Sequence, residues 1–238
     1  MLERAPMKLS NTKPFIIAVE GIDGSGKETQ TDLLAKYFMG LGKNVINRSY
    51  PQYSSFTGKE IGHLLAGKNE ENSAKKLDSK SMSLWYALDR WHDFQSLEDS
   101  LSNVDILLLN RFTLSSVVYQ GSRAGADSEI GEWIFALEHD ILGLPRPDLY
   151  IVLDTNMHIA SENVFKKQER EYVGAKVQDV YESDTTLQRR AQSMYLSWAE
   201  ENPNAVIVSC QNADGSMKSV SDIHVNLVAI VSQHVSLV

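Results

Sequence analysis

The chain carries a single cysteine, Cys210, in 238 residues. That excludes an intramolecular disulfide and fits a reducing cytosol, so a cytoplasmic location is expected. Cys210 has no partner at metal-ligand or nucleophile spacing and reads as a small buried hydrophobe. Positive charge is also short: 23 Lys and Arg against 31 Asp and Glu give a net charge of −8. Broad binding to nucleic acid or an acidic membrane needs a basic surface, so neither is expected as a partner. Nucleotides stay open, because a few local cations suffice to hold them. No run of about 20 apolar residues exists, so no membrane span is expected. His63, His139, His158, His224 and His234 show no metal-ligand spacing. The pair His92-Asp93 lies inside a helical stretch and lacks accompanying ligands. Residues 1–13 are polar without a signal-peptide core and read as a loose, disordered tail. Internal repeats and composition breaks are absent, so 14–238 is expected to form one domain.

Against these absences stands FIIAVEGIDGSGKETQ, residues 15–30. Phe15–Glu20 is mostly apolar, bounded by Pro14 and Gly21, and predicts a buried strand. Gly21-Ile22-Asp23-Gly24-Ser25-Gly26-Lys27 satisfies the G-x-x-x-x-G-K pattern. Its glycines let the backbone wrap an anion with N–H groups pointing inward, and Lys27 reaches the terminal phosphates. Helix formers follow from Thr29 to Met39, so the loop opens a helix whose positive end faces the same anion. One position departs from the pattern. Glu28 stands where Ser or Thr would ligate Mg²⁺.

Further along, Asn44–Asn47 predicts a short strand and Gly58–Leu65 a helix. Ser73–Leu101 is the longest helical stretch, and Leu84, Ala87, Leu88, Trp91 and Phe94 recur at helical spacing as its expected core stripe. Tyr86 and Arg90 sit four apart on its flank and project together. On spacing alone, a cation packed at a core-edge aromatic is the better reading of that pair. Asp105–Leu109 is a strongly apolar strand that runs into Asn110-Arg111-Phe112. Ligands bind at the carboxyl ends of parallel strands. Arg111 there is equally readable as a phosphate clamp or as half of a structural ion pair.

Helical segments are expected over Thr113–Gly121, Glu129–Leu142, Met157–Lys166, Leu187–Trp198 and Val220–Val235. Strands are expected over Leu149–Leu153 and Ala205–Cys210. The charged stretch 166–184 is either a solvated helix surface or a lid carrying Lys167, Arg170 or Lys176 over a phosphate. Strands separated by helices predict an α/β fold, with five parallel strands covered by helices on both faces.

With these residues in view, the chain resembles the thymidylate kinases of the P-loop nucleoside-monophosphate kinase group over roughly 14–235. EGIDGSGK at 20–27 with Thr29-Gln30, WYALDRW at 85–91, NRFTLSSVVYQG at 110–121 and LPRPDLYIVLD at 144–154 carry the likeness in order. The resemblance implies transfer of the γ-phosphoryl group of ATP to dTMP, with Mg²⁺, in a homodimer. It implies that residues 21–29 (Gly21, Ile22, Asp23, Gly24, Ser25, Gly26, Lys27, Glu28 and Thr29) hold ATP. Asp23 would accept from the sugar 3′-hydroxyl, Tyr86 would stack on thymine, and Arg90 would reach a base carbonyl. Arg111 would clamp the acceptor phosphate, Ser115, Ser116 and Gln120 would line the base, and Tyr119 would crowd the 2′ position. Lys27, Arg111, Asp23 and position 110 form the implied catalytic set.

Three departures stand out. Asn110 replaces an aspartate, Glu28 replaces Ser or Thr, and Gln52-Tyr53 follow Pro51 where many members carry an arginine. Glu28 and Asn110 together suggest that acidic support for the metal has moved from 110 to 28. A catalytically impaired nucleotide-binding homologue, or a kinase for another deoxynucleoside monophosphate, are the competing readings.

Overall fold

The computed structural model describes residues 13–67, 73–125, 129–170 and 180–235, with backbone alone for 166–170. Five strands, β1 (Phe15–Glu20), β2 (Val45–Ser49), β3 (Ile106–Asn110), β4 (Leu149–Asp154) and β5 (Ala205–Ser209), form one parallel sheet in the order β2-β3-β1-β4-β5. Among the described residues, eight α-helices connect and follow them: α1 (Lys27–Gly40), α2 (Phe56–Ala66), α3 (Ser79–Leu101), α4 (Thr113–Ala124), α5 (Ile130–Phe135), α6 (Met157–Arg170), α7 (Thr185–Glu201) and α8 (Val220–His234). α5 continues into a π-helical turn, Ala136–Ile141.

Strand alternation divides the core. Ile17 and Val19 of β1, with Leu108, Ile151 and Leu153, pack on Leu34 and Phe38 of α1 and on Ile223, Leu227 and Val231 of α8. Ile16 and Ala18, with Leu107, Leu109, Tyr150 and Val152, face the cluster built by α2 to α5 and α7. A side-chain period of two supplies one apolar row to each layer, which is why these strands read as continuous apolar runs. The expected α/β architecture, its five parallel strands and its two helical layers are all present.

The central position of β1 sets the site. Its carboxyl end pairs Val19 with Asn110 and Glu20 with Val152, so the loop after β1 opens between the ends of β3 and β4. The strand order reverses about β1, and the crevice at such a switch point is where open α/β sheets take ligands.

The long helix differs from its expected form. α3 starts at Ser79, where Asp78 caps it by accepting from the Lys80 and Ser81 N–H groups at 3.0 Å. Its buried face is Met82, Ser83, Ala87, Asp89, Arg90, Phe94 and Leu97. Leu84 and Leu88, expected in the core stripe, are 50% and 43% exposed. Two charged residues have turned inward because each finds several buried partners there. Asp89 accepts from the Gln52 N–H (2.7 Å), Ser55 Oγ (2.9 Å) and Thr57 Oγ1 (2.7 Å). Arg90 is paired as described below. α6 reaches Arg170, four residues beyond its expected end.

Candidate active site

The loop from Gly21 to Gly26 is held open by backbone that only glycine adopts without strain. Gly24 and Gly26 have φ of 78° and 89°. A Cβ on Gly24 would also meet the Ala160 carbonyl oxygen at 2.0 Å, so α6 closes one wall of the loop. α1 begins at Lys27, and its first N–H groups face the loop with the positive end of the helix dipole. Lys27 Nζ bridges the loop by donating to the Ile22 carbonyl (2.6 Å) and Ser25 Oγ (3.4 Å). Thr31 Oγ1 returns a bond to the Lys27 carbonyl at 2.7 Å. Glu28 and Thr29 are exposed in the first turn.

Arg111 is the one described non-glycine residue with positive φ, 63°, a conformation that carries strain in a bulky side chain. Its neighbours hold it there. The Arg111 N–H donates to the Val19 carbonyl (3.0 Å), and the next N–H, of Phe112, donates to Glu20 Oε1 (2.8 Å). The guanidinium donates to the Gly21 carbonyl (3.3 Å), Ser115 Oγ (3.1 Å) and the Asp23 carboxylate. The ion-pair reading of Arg111 is the one seen, with Asp23 in the loop as its partner.

Asp23 also accepts from Tyr119 Oη (2.8 Å) and Gln188 Nε2 (3.0 Å). Burial pushes its carboxyl up, but Arg111, Lys27 and these hydrogen bonds outweigh that and hold it at about 2. Behind them Glu20 is fully buried, accepting from Ser115 Oγ (2.6 Å) and Tyr195 Oη (3.1 Å). Burial raises its pKa against the opposing pull of Ser115 and Arg111.

A cavity of about 100 Å³ opens beside this network. Asp23, Tyr86, Arg90, Arg111, Ser115, Ser116 and Tyr119 all line it, so residues from α3, α4 and the loops after β1 and β3, up to 96 positions apart, converge. Tyr86 and Arg90, a bland pair by spacing, belong to its wall. Gln120 does not. It is fully buried one turn deeper, where its Oε1 accepts from Arg123 Nη1 at 2.6 Å and its Nε2 has no partner among the described residues. The arginine at the end of α4 draws it away from the cavity.

Asn110 is buried at the end of β3, donating from Nδ2 to Ser49 Oγ (2.9 Å), and its Oδ1 has no partner among the described residues. Lys176 lies outside the described residues, and the side chains of Lys167 and Arg170 are likewise outside the description.

Several contributors were not singled out from sequence. Tyr50, Leu65, Tyr181 and Glu182 also line the cavity, as do Pro51 and Tyr53, noted in the sequence only for the arginine missing there. Glu20 and Glu138 are buried carboxylates that anchor Arg111 and Arg90. Arg90 is 2% exposed and Glu138 fully buried; Arg90 donates to Glu138 from Nε (2.8 Å) and Nη2 (2.5 Å), and to Ser116 Oγ from Nη2 (2.6 Å). Burial disfavours the Arg90 charge, yet Glu138 overcomes this and raises its pKa. Nothing in the spacing of Glu138 signals this partnership, because it depends on how the segment after α5 packs over α3. Among the described residues no cluster of three or more His, Cys, Asp or Glu could hold a metal.

Comparison with known proteins shows the family. Residues 19–220 match the thymidylate kinase family model. A probable thymidylate kinase of Thermococcus gammatolerans is 31% identical over 224 residues, covering 93% of this chain and 97% of the relative. The thymidylate kinase of Mycobacterium tuberculosis is 27% identical over 190 residues, covering 79% and 86%. The thymidylate kinase structures of Candida albicans and Ehrlichia chaffeensis share the fold. The Candida structure has a TM-score of 0.67 at 20% identity, covering 93% of this chain and 92% of that one. The Ehrlichia structure scores 0.63 at 22%, covering 92% and 100%. With a phosphate loop, an arginine pinned beside it and an adjoining polar cavity in place, this chain belongs to the thymidylate kinase family.

Proposed function

We propose that the cavity beside the phosphate loop is the dTMP site of an ATP-dependent dTMP kinase, and that the loop itself holds ATP. One observation carries the assignment: Arg111 and Asp23 join the loop to a cavity lined by Tyr86, Arg90 and Tyr119. Phosphoryl transfer asks a protein chiefly to position donor and acceptor and to neutralise charge. Gly21 to Thr29, with Lys27 and the N-terminus of α1, hold the ATP phosphates. Arg111 exchanges part of its pairing with Asp23 for the dTMP phosphate, and Asp23 accepts from the sugar 3′-hydroxyl. Tyr86 stacks on thymine, Arg90 donates to a base carbonyl, Ser115 and Ser116 line the base, and Tyr119 excludes a 2′-hydroxyl.

Mg²⁺ usually keeps several waters and takes one or two protein groups plus substrate phosphates, so a site without a carboxylate cluster suits it. Glu28 in the first turn of α1 and the unpaired Oδ1 of Asn110 are the groups that would hold the ion or its waters. When bound, the ion neutralises charge on the transferring phosphate oxygens.

The reading extends to one domain over 14–238 with a lid near 166–184, whose Lys167, Arg170 or Lys176 would reach the phosphates. It also extends to a cytoplasmic homodimer. Among the described residues no helix is long and apolar enough to cross a membrane.

An ADP-release assay with ATP, Mg²⁺ and dTMP, dUMP, dCMP or dGMP tests the reading. Turnover should favour dTMP, and Arg111→Ala should lower kcat/KM by about 10²- to 10³-fold, as expected for loss of a preorganised charge-stabilising donor. Tight dTMP binding without turnover would support the impaired-homologue reading in its place.

A further inference from the structure

The segment after α5 inverts the usual pattern of burial. Within Ala136–Ile141 the apolar Ile141 is 74% exposed while the charged Glu138 is fully buried. The helix widens there into a π turn, closing with the Leu142 N–H on the Leu137 carbonyl at 2.9 Å. Such widening displaces the following side chains from α-helical positions and is often found at functional sites. The Leu144 N–H then donates to the Glu138 carbonyl (2.9 Å), which pins the backbone at that residue.

Glu138 uses this position to grip Arg90 along one edge. Its carboxylate takes the Nε and Nη2 donors, and Thr113 Oγ1 donates to Oε2 (2.7 Å) from the start of α4. Ser116 takes a second bond from Nη2. Nη1 is left outside this set, on a residue that lines the cavity. Guanidinium offers donors only. An arginine held this way presents a fixed N–H that cannot rotate into an acceptor, and burial on both partners keeps the pair from loosening into water. A base with a carbonyl at this edge completes the bond, whereas an exocyclic amino group sets donor against donor. Leaving such buried donors unpaired is what makes hydrogen-bonding sites discriminate strongly.

We propose that Glu138 is a positioning residue that fixes the pose of Arg90, and thereby sets preference for a 4-oxo over a 4-amino pyrimidine. This rests on the reading of Arg90 as the base-contacting arginine.

The test compares the full chain with Glu138→Asp and Thr113→Val, measuring kcat and KM for dTMP, dCMP and ATP. Glu138→Asp keeps the charge but draws the carboxylate back by one methylene. It should raise KM for dTMP about tenfold or more and narrow the dTMP over dCMP preference, because misplacements of about 1 Å are costly in such sites. Its kcat and its KM for ATP should stay within about twofold. Thr113→Val leaves the pair but removes one support of the carboxylate, and should move the same constants in the same direction by less. It carries the test should Glu138→Asp fail to fold. Unchanged KM and preference in active, folded variants would overturn the proposal. So would a lower melting temperature with every constant intact, since Glu138 would then serve stability alone. An unaltered chain with no dTMP turnover would overturn the proposed function itself, before any variant is measured.

Discussion

Arg111 and Asp23 show how one ion pair can serve both stability and binding. The folded pKa of Asp23, about 2, lies below its ordinary value of 3.8. Its contribution is therefore fully present above pH 3.8 and is lost as pH falls from there through about 2. Linkage makes that contribution of order 2 kcal/mol. Asp23→Asn should flatten the acid limb of a stability-against-pH curve between pH 4 and 2, read by chemical denaturation at each pH. An unchanged acid limb would count against the pairing. At the neighbouring position, the orphaned Oδ1 of Asn110 and the carboxylate of Glu28 pose a second residue-scale question. If acidic support for the metal has moved between them, Glu28→Thr with Asn110→Asp should outperform either single change in activity and in apparent Mg²⁺ affinity. Additive losses across that double-mutant cycle would sink the idea.

Among the elements, the π turn after α5 carries a pH dependence of its own. His139 Nδ1 lies 2.9 Å from the Leu144 carbonyl, and its Nε2 is buried with no partner among the described residues. Burial pushes its pKa below the ordinary 6.5, so the folded turn favours the neutral ring. The unfolded chain binds the proton more readily, and stability is lost as pH falls from 6.5 through the lowered pKa. Melting temperature should drop over that interval, and His139→Gln should reduce the drop. An equal drop in the variant would place the sensitivity elsewhere. α3 shows why element-level patterns mislead near a site. Its spacing favoured a stripe through Leu84 and Leu88, yet the buried face includes Asp89 and Arg90. Periodicity weighs only hydrophobicity, and it cannot anticipate that a charged side chain will find its partners on other elements.

For the molecule as a whole, those displaced leucines become informative. Leu84 and Leu88 lie four apart on α3, about half exposed, and Phe56 at the start of α2 is 72% exposed. α2 packs against α3, and paired apolar residues on a helix surface suit burial against a second copy. Sedimentation should show a dimer for the unaltered chain and a monomer for Leu84→Asp with Leu88→Asp, with the melting profile retained. A monomeric unaltered chain would remove the dimer from the reading.

The phosphate loop, the sheet composition and the Arg111 position were legible in the amino-acid sequence because each depends on local chemistry. Glycine spacing, continuous apolar runs and the residue following a strand are short-range signals. Tyr86 and Arg90 were legible as neighbours, since helical periodicity places residues four apart on one side. Their use was not. Only the tertiary structure decided that Arg90 is buried against Glu138, 48 positions away, that Glu20 braces the backbone after Arg111, and that Arg123 draws Gln120 off the cavity. Buried charge is tolerated only where partners converge from separate elements. That convergence is a property of packing, and no local stretch of the chain encodes it.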